Sequence, residues 1–162
     1  MTHEEKKNRL EELILSEYSA MYRLAYSYTG NEHDAMDVVQ ESILKAFQRI
    51  GSLKEPQFMK TWLWRILINT SIDTLKAGKR TLPLTEQPET GSEDTYRDFD
   101  TLEALKQLDA TERAVVVLRF FEDRKLDEIS RILEMNLNSV KTILYRSLRK
   151  LKVELKESEV WI

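Results

Sequence analysis

Cysteine is absent from the 162-residue chain, and glycine, proline and histidine are scarce, with four, three and two copies. The lack of cysteine excludes disulfides, thiolate zinc sites and cysteine nucleophiles, and it is typical of a reducing compartment. His3 and His33 stand apart in the sequence, and there is no glycine-rich phosphate loop. We therefore expect a protein that is not an enzyme and holds neither metal nor cofactor.

Long hydrophobic runs are also missing. The longest, residues 62–68, is short and contains Arg65, whereas a membrane-spanning helix needs about 20 apolar residues. The charged N-terminal residues lack the apolar segment of a signal peptide. These absences predict a cytoplasmic protein.

Charge is divided among segments of the chain, although the net charge is only −3. Residues 136–152 carry five basic side chains and no acidic one, while residues 86–103 carry seven acidic side chains against Arg97 alone. Residues 32–41 carry four acidic side chains and no lysine or arginine. Such zoning predicts separate surfaces for different partners, and the basic segment is the one suited to nucleic acid.

Hydrophobic periodicity predicts an all-α fold made of two small helical domains. The first domain, residues 1–80, has helices that should end near Gly30, Gly51 and Gly78. Residues 81–100 contain two prolines and several acids without periodicity, which predicts an extended acidic linker. Helical patterning returns over residues 101–162, the second predicted domain.

The second domain contains a helix-turn-helix pattern. Ile129, Ile132 and Leu133 form the inward face of a short helix, a break follows, and Asn136 suits the N-cap of the next helix. On that helix the apolar residues share one arc, and the other arc is polar and basic. The predicted inward positions are Val140, Ile143, Leu144, Ser147, Leu148 and Leu151, and the predicted outward positions are Lys141, Thr142, Tyr145, Arg146, Arg149 and Lys152.

Two polar strips interrupt the helices of the first domain. Asp37, Gln40, Glu41 and Leu44 recur at helical spacing and predict an acidic stripe around an apolar residue. On the third helix Arg65, Asn69, Asp73 and Lys76 recur in the same way beside large aromatic residues. Cations beside aromatic rings suit single-stranded DNA, because the cations can bind its phosphate backbone and the rings can stack on its unstacked bases.

Five stretches together resemble the extracytoplasmic-function sigma factors. Residues 118–123, 126–129 and 139–146 resemble sigma region four, while residues 34–42 and 61–73 resemble the two signature stretches of region two. Region four alone is also similar to response-regulator DNA-binding domains, but both regions occur here in the expected order. The resemblance covers residues 18–151 and implies a stress-responsive factor that binds core RNA polymerase and directs it to promoters.

The resemblance also implies roles for individual residues. Core polymerase would bind Asp34, Asp37, Gln40, Glu41 and Leu44. The −10 promoter element would bind Phe58, Arg65, Asn69, Asp73 and Lys76, with Asn69 at the pocket for a flipped base. The −35 element would bind Arg119, Lys141, Thr142, Tyr145, Arg146 and Arg149. An anti-sigma factor is the expected regulator, and one anchored in the membrane would hold the protein at the inner membrane face.

One position departs from the family pattern, and two other classes of function are alternatives to a sigma factor. Glu134 lies in the predicted turn, where the family commonly has glycine, and a non-glycine residue at positive φ costs about 1 kcal/mol. A conventional helix-turn-helix regulator with a sensing domain explains residues 126–152 but leaves the two region-two stretches unexplained. A nucleic-acid enzyme would need a phosphate loop or metal cluster that the sequence lacks.

Overall fold

The computed structural model describes residues 1–78 and 102–155, with the side chains of residues 153–155 left undescribed. These residues form helices and turns, with no strand among them, so the all-α prediction is confirmed. The helices are α1 (His3–Thr29), α2 (Glu32–Arg49), α3 (Met59–Gly78), α4 (Ala110–Val116), α5 (Leu126–Leu133) and α6 (Leu137–Leu155). The predicted linker lies outside the described residues.

Local capping explains where the first helices begin and end. Thr2 and Glu5 form a reciprocal capping box at the start of α1, and Gly30 ends that helix with φ 77°. Asn31 then accepts a hydrogen bond from the backbone N–H of Asp34 at 2.8 Å, which starts α2. The predicted break at Gly30 is therefore confirmed.

Helices α1, α2 and α3 pack together around one apolar core. The buried face of α2 consists of Ala35, Val38, Val39, Ser42 and Ala46. Trp64 and Leu63 of α3 are completely buried, whereas Trp62 is only partly buried. The third helix thus contributes to the core and keeps one aromatic ring near the surface.

The C-terminal half begins with a helical turn at residues 102–105, followed by α4. A π-helical segment, Val117–Phe121, continues α4, and helices α5 and α6 complete this half. Helix α5 ends at Glu134, which has φ 57°, and the side chain of Asn136 accepts from Ser139 at the start of α6. The predicted turn and N-cap are both present.

The two halves contact one another through polar groups as well as packed helices. The hydroxyl of Tyr28 donates to the carbonyl oxygen of Ala110 at 2.6 Å, and Arg113 donates to the carbonyl oxygen of Ser27 at 3.1 Å. Arg23 makes two hydrogen bonds to Glu122, at 3.0 and 3.2 Å. In this structure the halves therefore form a closed arrangement.

We expect Glu134→Gly to raise the free energy of unfolding by about 1 kcal/mol, because glycine removes the cost of a side chain at positive φ. The gain is reduced by loss of the Glu134–Arg65 ion pair, which spans 3.5 Å at an exposed site and is worth about 0–1 kcal/mol. Urea unfolding measures the sum. Glu134→Gln is the matched control, since it removes the ion pair and keeps the backbone cost; equal stability of the two variants would contradict the prediction.

Candidate polymerase and nucleic-acid interfaces

The predicted polymerase-binding residues all lie on the exposed side of α2. Asp34, Asp37, Gln40, Glu41 and Leu44 are exposed there, and Leu44 is 59% exposed despite being apolar. The Nζ atom of Lys45 lies 2.9 Å from a Glu41 carboxylate oxygen. The stripe therefore keeps its acidic character toward the N-terminal end of α2, where negative charge also suits the helix dipole.

His33 lies beside this acidic stripe, a position that was not predicted from the sequence. Its Nε2 atom lies 3.5 Å from Asp37, one helical turn away, and both side chains are exposed. His33, Asp34 and Asp37 have possible metal-ligand atoms within 4.8 Å of one another. Exposed groups of this kind are common without a metal, so the cluster gives no reason to assign one.

The predicted −10 residues of α3 line one groove. Arg65, Asn69, Asp73 and Lys76 border a surface cavity of about 540 Å³ together with Trp62. Lys45 and Arg49 of α2 border the same cavity, and the Nζ atom of Lys45 donates to Thr70 at 3.1 Å. The groove thus gathers cations from two helices around an exposed amide.

Lys45 and Arg49 were not among the predicted site residues. They follow Glu41 at four-residue intervals, so their common face was readable from the sequence. Their position beside α3 could not be predicted from the sequence, because it depends on how α2 and α3 pack together.

Phe58 lies on a second cavity, of about 330 Å³, whose walls come from both halves of the chain. Leu53, Trp62 and Arg65 belong to the N-terminal half, and Arg131 and Glu134 to the helix-turn-helix. Arg65 donates to the carbonyl oxygens of Arg131, at 2.6 Å, and Ile132, at 3.3 Å. Arg65 therefore touches the C-terminal end of α5 in this arrangement, where a positive charge suits the helix dipole.

The predicted −35 residues of α6 lie along its outer face. Lys141, Thr142, Tyr145, Arg146 and Arg149 are exposed there. The inward positions are buried, apart from Leu148, which is partly buried, so the amphipathic prediction for α6 is confirmed. Arg119 lies apart on the π-helical segment, 5.9 Å from the ring centre of Phe120.

Arg146 has a partner that sequence reasoning missed. Its Nε atom donates to the carboxylate of Glu112 at 2.7 Å, and Lys150 donates to both oxygens of the same carboxylate. Glu112 is completely buried. Burial raises its pKa, but hydrogen bonds from Lys150, the Asp109 backbone and Arg146 outweigh burial and lower the pKa to about 2. The carboxylate is therefore ionised near neutral pH.

A bundle with an acidic stripe and a cationic groove, packed on a helix-turn-helix with a polar outer face, is the architecture of a DNA-binding transcription protein. The model of sigma-70 region 2 matches residues 13–81, and that of sigma-70 region 4 matches residues 99–151. The chain is 41% identical to the RNA polymerase sigma factor SigV of Bacillus subtilis (strain 168), over 86% of each chain. The ECF RNA polymerase sigma factor SigW of the same organism is 28% identical, over 85% of this chain and 83% of SigW.

Two solved structures share the fold. CnrH, in complex with the cytosolic domain of CnrY, has a TM-score of 0.76 at 21% identity, covering 93% of this chain and 90% of CnrH. The sigma factor RpoE, in complex with the anti-sigma factor NepR from Bartonella quintana, has a TM-score of 0.72 at 22% identity, covering 90% of this chain and 96% of RpoE. The chain belongs to the extracytoplasmic-function sigma factors of the sigma-70 family.

Within residues 1–78 and 102–155, no helix is both long and apolar enough to span a membrane.

Proposed function

We propose that this sigma factor binds core RNA polymerase through the α2 stripe, captures the melted −10 element in the α3 groove and reads the −35 element with α6. The observation that carries the proposal is the groove, where Asn69 stands among cations of α2 and α3 beside Trp62. Cations can hold a single-stranded backbone, and an aromatic ring can receive an unstacked base. A duplex-binding regulator has no need of such a groove.

The proposal assigns the −10 and polymerase functions to residues 1–80, the −35 function to residues 101–162, and a connecting role to the acidic segment 81–100. It makes the protein a promoter-specificity subunit of the cytoplasm, without catalytic residues of its own. Reconstitution tests it directly: purified chain plus core polymerase should give promoter-dependent run-off transcripts, and core polymerase alone should not. Equal transcription with and without the chain would contradict the proposal.

We propose that an anti-sigma factor controls the chain in response to stress. The support is a solved relative of the same fold that is bound to the anti-sigma factor NepR. A partner anchored in the membrane would hold the chain at the inner face of that membrane. A neighbouring gene for a protein with one membrane span, whose product removes run-off activity when added, would support this control; a product that binds the chain and leaves transcription intact would contradict it.

Asn69→Ala should reduce promoter opening about tenfold, because a captured base edge would lose a hydrogen-bonding partner in a desolvated pocket. Binding of α6 to duplex DNA should be unchanged. A permanganate footprint of the holoenzyme measures opening, and a duplex-binding assay on the same variant measures the second property. Gln48→Ala removes an exposed amide of α2 that does not line the groove and serves as the control. If the Asn69→Ala variant opened promoters as well as the parent chain, the −10 site would have to lie elsewhere on the protein.

A further inference from the structure

Glu112 is a completely buried carboxylate beneath the outer face of α6. It lies in the first turn of α4, where one oxygen accepts from the backbone N–H of Asp109 at 2.9 Å. The same carboxylate accepts from Arg146 and from Lys150, which lie one turn apart on α6. A buried charge is tolerated when its hydrogen-bonding partners satisfy it in this way. Glu112 therefore fixes the positions of the Arg146 and Lys150 side chains relative to the core.

The contact with Arg146 uses one edge of the guanidinium. The Nε atom donates to Glu112 at 2.7 Å, while the terminal nitrogens Nη1 and Nη2 make no hydrogen bond to any residue that the structure describes. The Arg146 side chain is 45% exposed and Glu112 is fully covered. The terminal nitrogens are the pair that grips the O6 and N7 atoms of a guanine, or two phosphate oxygens, in bidentate fashion. Glu112 therefore anchors the inner edge and leaves the reading edge free.

Unlike the contact with Arg146, the contact with Lys150 leaves that side chain less available to DNA. Its Nζ atom donates to both carboxylate oxygens, at 2.8 and 2.9 Å. Its charge is thus largely compensated by Glu112. Lys141 and Arg149 are exposed on α6 and form no ion pair with any residue in the described ranges, so their charges remain available to DNA phosphates.

We propose that Glu112 is a positioning residue for sequence reading: it fixes the orientation of Arg146 toward a base edge and withdraws Lys150 from the phosphate backbone. The inference rests on the proposed reading of the −35 element by α6. Glu112 itself never touches DNA, and the two cations that it binds on α6 have different roles. A glutamate in this place raises selectivity at the expense of general affinity, since it holds one cation and neutralises another.

Glu112→Gln tests the proposal because the side chain keeps its shape and loses its charge. Competition binding of the full chain with core polymerase compares the parental −35 element with single-base variants at several salt concentrations. We expect preference at one base pair to fall about tenfold. Non-specific affinity should be kept or increased, and the salt dependence should steepen by about one phosphate contact as Lys150 is released. A purely structural defect would weaken all sequences together and would not steepen the salt dependence.

A double-mutant cycle separates positioning from a general effect on the fold. In an Arg146→Ala background, Glu112→Gln should cause no further loss of base preference. The same loss in both backgrounds, or parental preference in Glu112→Gln, would overturn the positioning role. If Arg146→Ala itself leaves the preference unchanged, the proposed reading by α6 fails, and the inference fails with it. The two failures are thus distinguishable.

Surface variants keep the test independent of the buried site, in case Glu112→Gln does not fold. Lys150→Gln should leave the salt dependence unchanged, because its charge is already compensated. The matched change Lys141→Gln should reduce the salt dependence by about one phosphate contact. Equal reductions in the two variants would show that Lys150 reaches the backbone and would overturn the proposal.

Discussion

Core RNA polymerase should bind a chain carrying Asp37→Arg and Gln40→Ala about ten- to a hundredfold more weakly than the parent chain. Both side chains are exposed on α2, so the change alters the docking surface rather than the core. An acidic stripe favours a basic partner, and reversing one charge places like charges face to face at a cost of several kcal/mol when they are desolvated. A quantitative pull-down with purified core polymerase measures the loss.

The α2 variant needs a control with the same change of charge on another helix. Asn8→Ala with Glu12→Arg provides it, since both residues are exposed and one turn apart on α1. Circular dichroism and thermal melting should be the same for both variants and the parent chain. Core binding by the α2 variant equal to that of the α1 control would remove the polymerase assignment from this face.

The site residues on single helices were those most accessible to sequence reasoning. The acidic stripe of α2 and the outer face of α6 follow from helical spacing, because side chains three and four positions apart share a face. Capping residues were readable for the same local reason: Asn136 holds the N–H of Ser139, and Glu134 takes the positive φ expected in the turn. Each of these features depends on neighbours within one or two helical turns.

Contacts between distant segments could not be predicted from local spacing in the sequence. Glu112 forms a capping box with Asp109, which the sequence permits one to recognise, but its bonds to Arg146 and Lys150 depend on the crossing of α4 and α6. The π-helical segment after α4 has no simple sequence signal. Arg65 fits a DNA-binding strip by spacing, yet in the closed arrangement it donates to carbonyl oxygens of α5.

A cluster of Glu17, Lys60, Trp64 and Arg124 also links the two halves. One Glu17 oxygen accepts from the indole N–H of Trp64 at 2.7 Å and from Arg124 at 2.9 Å. The Glu17 and Arg124 side chains are 14% and 12% exposed, and the Arg124 guanidinium lies 5.1 Å from the centre of the Trp64 ring. Lys60 lies 3.6 Å from the other Glu17 oxygen. A carboxylate of α1 thus joins the core of one half to a cation of the other.

Glu17→Ala should lower the free energy of unfolding by about 3 kcal/mol, because it leaves a largely buried arginine without its nearest carboxylate and an indole N–H without its acceptor. Glu128, 3.6 Å from Arg124, keeps the loss from being larger. Glu17→Gln can still accept from Trp64 and should lose less. Urea unfolding followed by circular dichroism should therefore order the variants Glu17→Ala, Glu17→Gln and the exposed control Glu12→Ala from least to most stable.

The same variants should also change the distance between the halves, and the absence of cysteine from the sequence makes that distance measurable. Cysteines introduced at the exposed positions Ser19 and Lys125 give one label on α1 and one before α5. The parent chain should give a single narrow spin-label distance, and Glu17→Ala should add a population at longer distances because Arg124 no longer ties the halves together. Glu12→Ala should keep the parental distribution. If Glu17→Ala matched Glu12→Ala in both stability and distance, the Glu17 cluster would not hold the halves together, and the closure would have to rest on the other contacts between them, which include those of Tyr28, Arg113, Arg65 and Arg23.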